Sequence, residues 1–132
     1  MQTWTRVVGW CLIVGLCVTA VQAQKRPRSR VWGVPTIYSN LGLEPETGDV
    51  GGMEVVLIPA YSGDWASVII AEGVANDPVL VRVDRDGSRI SFTLPNAEPY
   101  GGYGTFRGTI TRAGLELRNE LFGKQLLKKQ CR

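Results

Sequence analysis

The chain has 132 residues, no histidine, three cysteines and a formal net charge of +3. Without histidine, Ser-His-Asp and Cys-His catalysis and all histidine-containing zinc sites are excluded. All 12 carboxylates but only 6 of the 15 basic residues lie between residues 31 and 123, and the remaining basic residues lie towards the two ends. Because a nucleic-acid-binding protein needs a basic face on its folded part, this distribution argues against a nucleic-acid partner.

The first 23 residues have the pattern of a secretory signal peptide. Arg6 precedes an apolar run from Val7 to Val21, and Val21-Gln22-Ala23 places small residues where signal peptidase cuts. We therefore expect cleavage after Ala23 and a secreted or periplasmic product. The alternative is a membrane anchor through uncleaved residues 7–23, because a run of roughly 17 residues can just span a bilayer.

Cleavage would leave one domain after a short basic leader. Residues 24–30 are polar and basic, which predicts a disordered leader, and residues 31–132 are predicted to form a single β-barrel domain. Cys131 would remain as the lone cysteine, so no disulfide within the chain is expected. The basic leader and the basic C-terminal segment are the parts that could contact anionic lipid headgroups.

The first half of the predicted domain reads as short strands separated by glycine-rich turns. Val31–Tyr38 predicts a first strand, with Pro35 at an edge or a bulge because proline cannot donate to a ladder. Ser39–Gly52 is predicted to be a long loop. Met53–Pro59 and Trp65–Ala71 predict the next two strands.

The clearest strand signal runs from Pro78 to Leu121. Apolar residues alternate with polar ones in two neighbouring segments, which predicts strands with one face in a core. Asp86-Gly87 predicts a type I′ turn between these two strands. Three further strands are predicted at Thr105–Thr111, Leu115–Leu121 and Lys124–Gln130.

The pattern therefore predicts an all-β fold, an antiparallel meander of about seven or eight strands without helices. Such a meander can close into a small barrel or form a β-sandwich. We favour the barrel because Gly104 and Gly108 lie on one face of a strand with Phe106, and glycine inside a strand permits a bend or a close backbone approach.

Three segments resemble small secreted bacterial β-barrel proteins of the lipocalin-like (calycin-type) kind. The residues that carry the resemblance are TGDVGGMEVVLIP, AEGVANDPVLVRVD and GTFRGTITRAGLELRNE followed by KQLLKK, within the span from Ser39 to Lys129. Near the first strand, Val31-Trp32-Gly33 departs from the Gly-x-Trp order of lipocalins. The resemblance implies a secreted β-barrel.

No pattern in the sequence predicts a metal site, a cofactor or an enzyme. Asp84-x-Asp86-Gly87 imitates the start of a calcium loop, but Thr93 stands where the bidentate acid should follow, so we assign these residues to a turn. A pair of acids for glycoside hydrolysis could be chosen from the other carboxylates, but no spacing selects one. An acid-pair hydrolase is therefore the weakest hypothesis.

The candidate binding residues are aromatic side chains in or beside predicted loops. Alternate loops of a meander meet at one barrel end, where aromatic rings can bind apolar or carbohydrate ligands or instead plug the barrel. Glu72 or Asp64 is a possible polar anchor for the ligand. The aromatic candidates are Tyr38, Tyr61, Trp65, Tyr100 and Tyr103.

The leading hypothesis is a non-catalytic secreted or periplasmic barrel that binds a small ligand or a partner protein at one end. The alternative is an envelope-associated structural or interaction protein whose basic termini contact anionic surfaces.

Overall fold

The computed structural model describes residues 33–131. The predicted signal peptide (1–23), the predicted basic leader (24–30) and the start of the predicted first strand lie outside the described residues. Among residues 33–131, no helix has the length and apolar character needed to cross a membrane.

The described chain is all-β, as the strand pattern predicted. Every pair of hydrogen-bonded strands in it is antiparallel. The nine strands are β1 (Thr36–Ser39), β2 (Gly42–Leu43), β3 (Val50–Ile58), β4 (Asp64–Ala75), β5 (Val79–Asp86), β6 (Arg89–Thr93), β7 (Thr105–Ile110), β8 (Leu115–Asn119) and β9 (Gly123–Lys129).

Eight of these strands close into a barrel. Strands β3 to β9 pair in chain order, and β1 closes the wall because it pairs with β3 on one side and β9 on the other. The closure confirms the predicted barrel over the sandwich, and the wall has the predicted number of strands. Within residues 33–131, the short strand β2 is additional and pairs with β3 alone.

The strand bounds differ from the predicted ones where tertiary pairing outweighs glycine's low strand propensity. Part of the predicted Ser39–Gly52 loop is β2 and the start of β3, where Val50 and Gly51 pair with the C-terminal part of β4. Strand β4 therefore continues beyond Ala71 to Ala75. Pairing context, rather than residue type alone, decides such positions.

The predicted type I′ turn at Asp86-Gly87 is wrong. Asp86 pairs with Arg89, so the two loop residues are Gly87 and Ser88. Gly87 has φ of 62°, and no residue other than glycine has positive φ in the described chain. Glycine with positive φ only at the first loop position is the requirement of a type II′ turn.

Alternate side chains of the wall fill the barrel interior. Val55, Val68, Leu115 and Leu127 are completely buried, and the Phe92 and Phe106 rings stack with their centroids 5.3 Å apart. These residues make one continuous core of apolar side chains.

Gly108 has the close backbone approach that the sequence predicted, but Gly104 does not lie in the same strand. A Cβ atom on Gly108 would lie 2.5 Å from the carbonyl oxygen of Glu116 on β8. Gly104 precedes β7 and has φ of 66°, a conformation that glycine adopts at little cost. The two glycines therefore serve different purposes, one in strand packing and one in the backbone of loop 94–104.

The loops alternate between the two ends of the barrel. Loops 59–63, 87–88 and 111–114 lie at the end that carries Tyr61, called here the Tyr61 end. The opposite end, called the Tyr103 end, carries the segments 40–49, 76–78, 94–104 and 120–122. The candidate binding residues can be assigned to these two ends.

Candidate ligand-binding site at the Tyr103 end

Three of the sequence-predicted residues come together at the Tyr103 end. The Tyr103 hydroxyl donates a hydrogen bond of 3.1 Å to Oε2 of Glu72, which projects from the C-terminal part of β4. The rings of Tyr100 and Tyr103 meet edge to face with their centroids 6.1 Å apart. Loop 94–104 and β4 therefore hold these three side chains in one cluster.

The other predicted residues lie elsewhere. Tyr38 projects from β1 into the barrel core, and Tyr61 is 89% exposed in a loop at the Tyr61 end. Trp65 lies on the outer face of β4, where the Arg82 guanidinium stands 4.8 Å from its ring centroid. The six predicted residues thus do not line one mouth.

Asp64, the other possible anchor, also lies at the Tyr61 end. It is 6% exposed at the start of β4 and forms an ion pair of 3.4 Å with Arg85. The same guanidinium acts on Tyr38, since burial raises the pKa of Tyr38 while the positive charge of Arg85 partly offsets that rise. Asp64 and its partner Arg85 therefore lie at the Tyr61 end, away from the cluster of Tyr100, Tyr103 and Glu72.

Tyr100 is a packing residue of the Tyr103 end. It is 3% exposed, and its hydroxyl lies within hydrogen-bonding distance of the carbonyl oxygens of Asp77 and Val68. Burial raises the pKa of Tyr100 above its ordinary value because the phenolate would lose its hydration. The ring therefore closes part of this end, as in the plugging alternative.

Tyr103 is half-buried and its hydroxyl is held by a carboxylate. Burial raises the pKa of Tyr103, and the hydrogen bond to Glu72 raises it further because a carboxylate stabilises the protonated phenol and repels the phenolate. Tyr103 thus acts as a neutral donor that ties loop 94–104 to β4.

A cavity of about 210 Å³ lies beside this cluster at the Tyr103 end. Its apolar lining consists of Met53 on β3, the paired Ile70 and the next residue Ala71 on β4, and Phe122 in the β8–β9 turn. The lining residues are Asn40, Gly52, Met53, Ile70, Ala71, Phe122 and Gln125. None of them was a site candidate from the sequence.

The two amide side chains of the cavity satisfy each other and the backbone. Asn40 Nδ2 donates to Oε1 of Gln125 at 3.1 Å, and Asn40 Oδ1 accepts from the N–H of Met53 at 2.7 Å. Gln125 Nε2 donates to the carbonyl oxygen of Phe122 at 3.0 Å. No buried side-chain nitrogen or oxygen among residues 33–131 is left without a partner, so the cavity suits an apolar group.

Phe122 closes one side of the cavity from the β8–β9 turn. Its ring centroid lies 5.3 Å from that of Tyr103 and 6.2 Å from that of Phe106. Asn119 positions the turn, since its Oδ1 accepts from the N–H groups of Leu121 at 2.8 Å and Phe122 at 3.3 Å. Its Nδ2 donates to the carbonyl oxygen of Tyr103, which joins the turn to loop 94–104.

The sequence contains little that identifies the cavity residues. Phe122 stands in a Phe-Gly turn, and an apolar ring in a turn indicates that the turn covers something apolar. Asn40 and Gln125 gave no signal, because their contact joins residues 85 positions apart. Among the described residues, no group of three or more His, Cys, Asp or Glu side chains could hold a metal ion.

No family model, no curated protein and no solved structure matches this chain. The resemblance to secreted lipocalin-like barrels therefore stays a prediction, and what the structure shows is the barrel itself.

Proposed function

We propose that this protein is a non-catalytic binding module that takes a small apolar ligand into the cavity at the Tyr103 end. The observation that carries the proposal is the partly enclosed space between Met53, Ile70, Ala71 and Phe122, whose neighbouring amides are already satisfied. A ligand without hydrogen-bonding groups would lose little on entering such a space.

The volume limits the ligand to a small group. Drug-sized ligands occupy pockets of roughly 300–1,000 Å³, whereas an apolar cavity of about 150 Å³ can bind benzene. At about 210 Å³, the cavity accommodates one aromatic ring or a short branched alkyl group. Such a group could belong to a free molecule or to the end of a larger ligand.

Exposed apolar side chains on the surrounding segments support this choice of end. Leu43 on β2, Val74 on β4 and Leu121 in the β8–β9 turn are 66%, 72% and 65% exposed. All three belong to the Tyr103 end, where an apolar ligand would approach. The proposed site of action is secreted or periplasmic, which rests on the signal-peptide pattern of the first 23 residues.

Titration with benzene tests the proposal. We expect saturable shifts of the methyl resonances of Met53 and Ile70 in the NMR spectrum. The variant Ala71→Leu fills part of the cavity and should weaken binding about tenfold, which corresponds to about 1.4 kcal/mol. Ala75→Leu makes the same change at an exposed position of β4 and should leave binding unchanged.

Two results would reject this function. One is the absence of saturable shifts at Met53 and Ile70. The other is equal weakening by the two leucine variants, since that would show an effect of added apolar surface rather than of a filled cavity. Trp65→Ala is a second control. It should leave benzene binding unchanged, because Trp65 lies on the outer face of β4.

A further inference from the structure

The outer face of the barrel carries a row of cationic side chains on three adjacent strands. Arg107 on β7 lies directly opposite Arg118 on β8, and Arg118 lies directly opposite Lys124 on β9. Directly opposed residues have their Cβ atoms about 4.5–5.5 Å apart, and like charges in such pairs destabilise a sheet. The row therefore costs folding free energy that a different residue choice would avoid.

Among residues 33–131, one member of the row forms an ion pair with a neighbour. Lys124 forms an ion pair of 2.8 Å with Glu116. Arg107 and Arg118 are exposed, and neither guanidinium has a hydrogen bond or an ion pair with any part of residues 33–131. Two arginine side chains thus stand side by side with their donors facing solvent.

Both arginines line two open grooves. One groove, of about 750 Å³, lies on the outer face of β5 to β9. The other, of about 850 Å³, lies between loop 94–104 and the β8–β9 turn. A ligand in either groove would contact the same pair of guanidinium groups. The pair is separate from the cavity of the proposed function, whose lining shares no residue with these grooves.

We propose that Arg107 and Arg118 bind the phosphate group of a small soluble molecule that lies in one of these grooves. Guanidinium groups donate two parallel hydrogen bonds to an oxyanion, and two of them on adjacent strands can share the oxygens of one phosphate. The negative charge of the phosphate would also relieve the repulsion between the two arginines.

The carboxylates around the row favour a single phosphate group over an extended polyanion. Asp84, Asp86 and Glu116 line the outer-face groove together with the cationic side chains. A membrane surface or a nucleic acid lying across this face would bring further phosphates against these carboxylates. One phosphate on a small molecule avoids that repulsion.

The first experiment titrates the protein with inorganic phosphate. Chloride at equal ionic strength is the reference. We expect saturable shifts of the Arg107 and Arg118 Nε–H resonances in the NMR spectrum. The double variant Arg107→Gln/Arg118→Gln should lower phosphate affinity at least tenfold. The charge-matched control Arg112→Gln/Lys128→Gln, which changes exposed residues outside the row, should change affinity less than twofold.

Thermal unfolding gives a second readout. Without phosphate, Arg107→Gln/Arg118→Gln should be at least as stable as the unmodified protein, because it removes opposed like charges. Phosphate should raise the Tm of the unmodified protein and not that of the variant, because a ligand stabilises the state that binds it.

Three results would overturn the proposal: shifts that chloride reproduces, equal loss of affinity in both double variants, or no phosphate binding in the unmodified protein. The last experiment measures binding to vesicles that contain phosphatidylserine. Vesicle binding that depends on Arg107 and Arg118 while free phosphate does not bind would assign the row to a membrane surface and contradict a soluble ligand.

Discussion

At the residue scale, three tyrosines couple the folded state to alkaline pH. Burial raises the pKa values of Tyr38, Tyr100 and Tyr103 above 10.0, so the folded protein holds these phenol protons more tightly than the unfolded chain does. Their contribution to stability is complete below pH 10.0. It is lost as the pH rises through the raised pKa values.

We therefore predict that the free energy of unfolding falls as the pH rises above 10.0. Urea unfolding at a series of pH values measures it, with tyrosinate absorbance as an independent record of ionisation. Tyr103→Phe cannot ionise at this position and should show a smaller alkaline loss. An alkaline loss of unchanged size in this variant would show that Tyr103 does not contribute to it.

Gly108 gives a second residue-scale prediction. A Cβ atom there would lie 2.5 Å from the carbonyl oxygen of Glu116, so Gly108→Ala should destabilise the protein by about 1–3 kcal/mol. Gly51→Ala is the matched control, because a Cβ atom on Gly51 would meet no atom within 4 Å. Denaturant unfolding compares the two, and equal stabilities would refute the close approach.

At the element scale, β9 closes the barrel and its two faces should respond differently. Leu127 is completely buried, whereas its neighbour Leu126 is 42% exposed on the outer face. Leu127→Ala should cost about 2–5 kcal/mol. Leu126→Ala should change stability by no more than about 0.5 kcal/mol. Denaturant midpoints measure both, and a larger cost at Leu126 would mean that β9 faces the other way.

The strands that could be predicted are those whose own residues alternate. The segments around Val81 and Phe92 have apolar residues at every second position, and their inward faces are as expected. Strand β2 and the start of β3 could not be predicted, because the glycine-rich segment becomes strand only through its pairing partners. The turn at Gly87-Ser88 depends on register, which residue types alone do not decide.

At the scale of the whole molecule, the chemistry of the site was less predictable than its shape. Tyr100, Tyr103 and Glu72 were candidates because aromatic and acidic residues near loops indicate a barrel mouth, and they do meet at one end. Trp65 and Tyr61 were equally good candidates from the sequence. Only the assignment of strand faces and of loops to ends separates them from that cluster.

At the same scale, residues 33–131 form a barrel with a core of buried apolar side chains and a small open space at the Tyr103 end. Phe106 and the completely buried aliphatic side chains fill the interior, while about 210 Å³ remains open beside Phe122. A packed interior makes the wall rigid, and a small space at one end can then bind a ligand without rearrangement of the strands.

Xenon binding in crystals of the protein tests most directly whether this end encloses a dry apolar cavity. Xenon enters apolar cavities that exclude water. We predict one xenon site between Met53, Ile70 and Phe122. A cavity filled by ordered water or by a side chain, with no xenon at this position, would show that this end holds no dry apolar site.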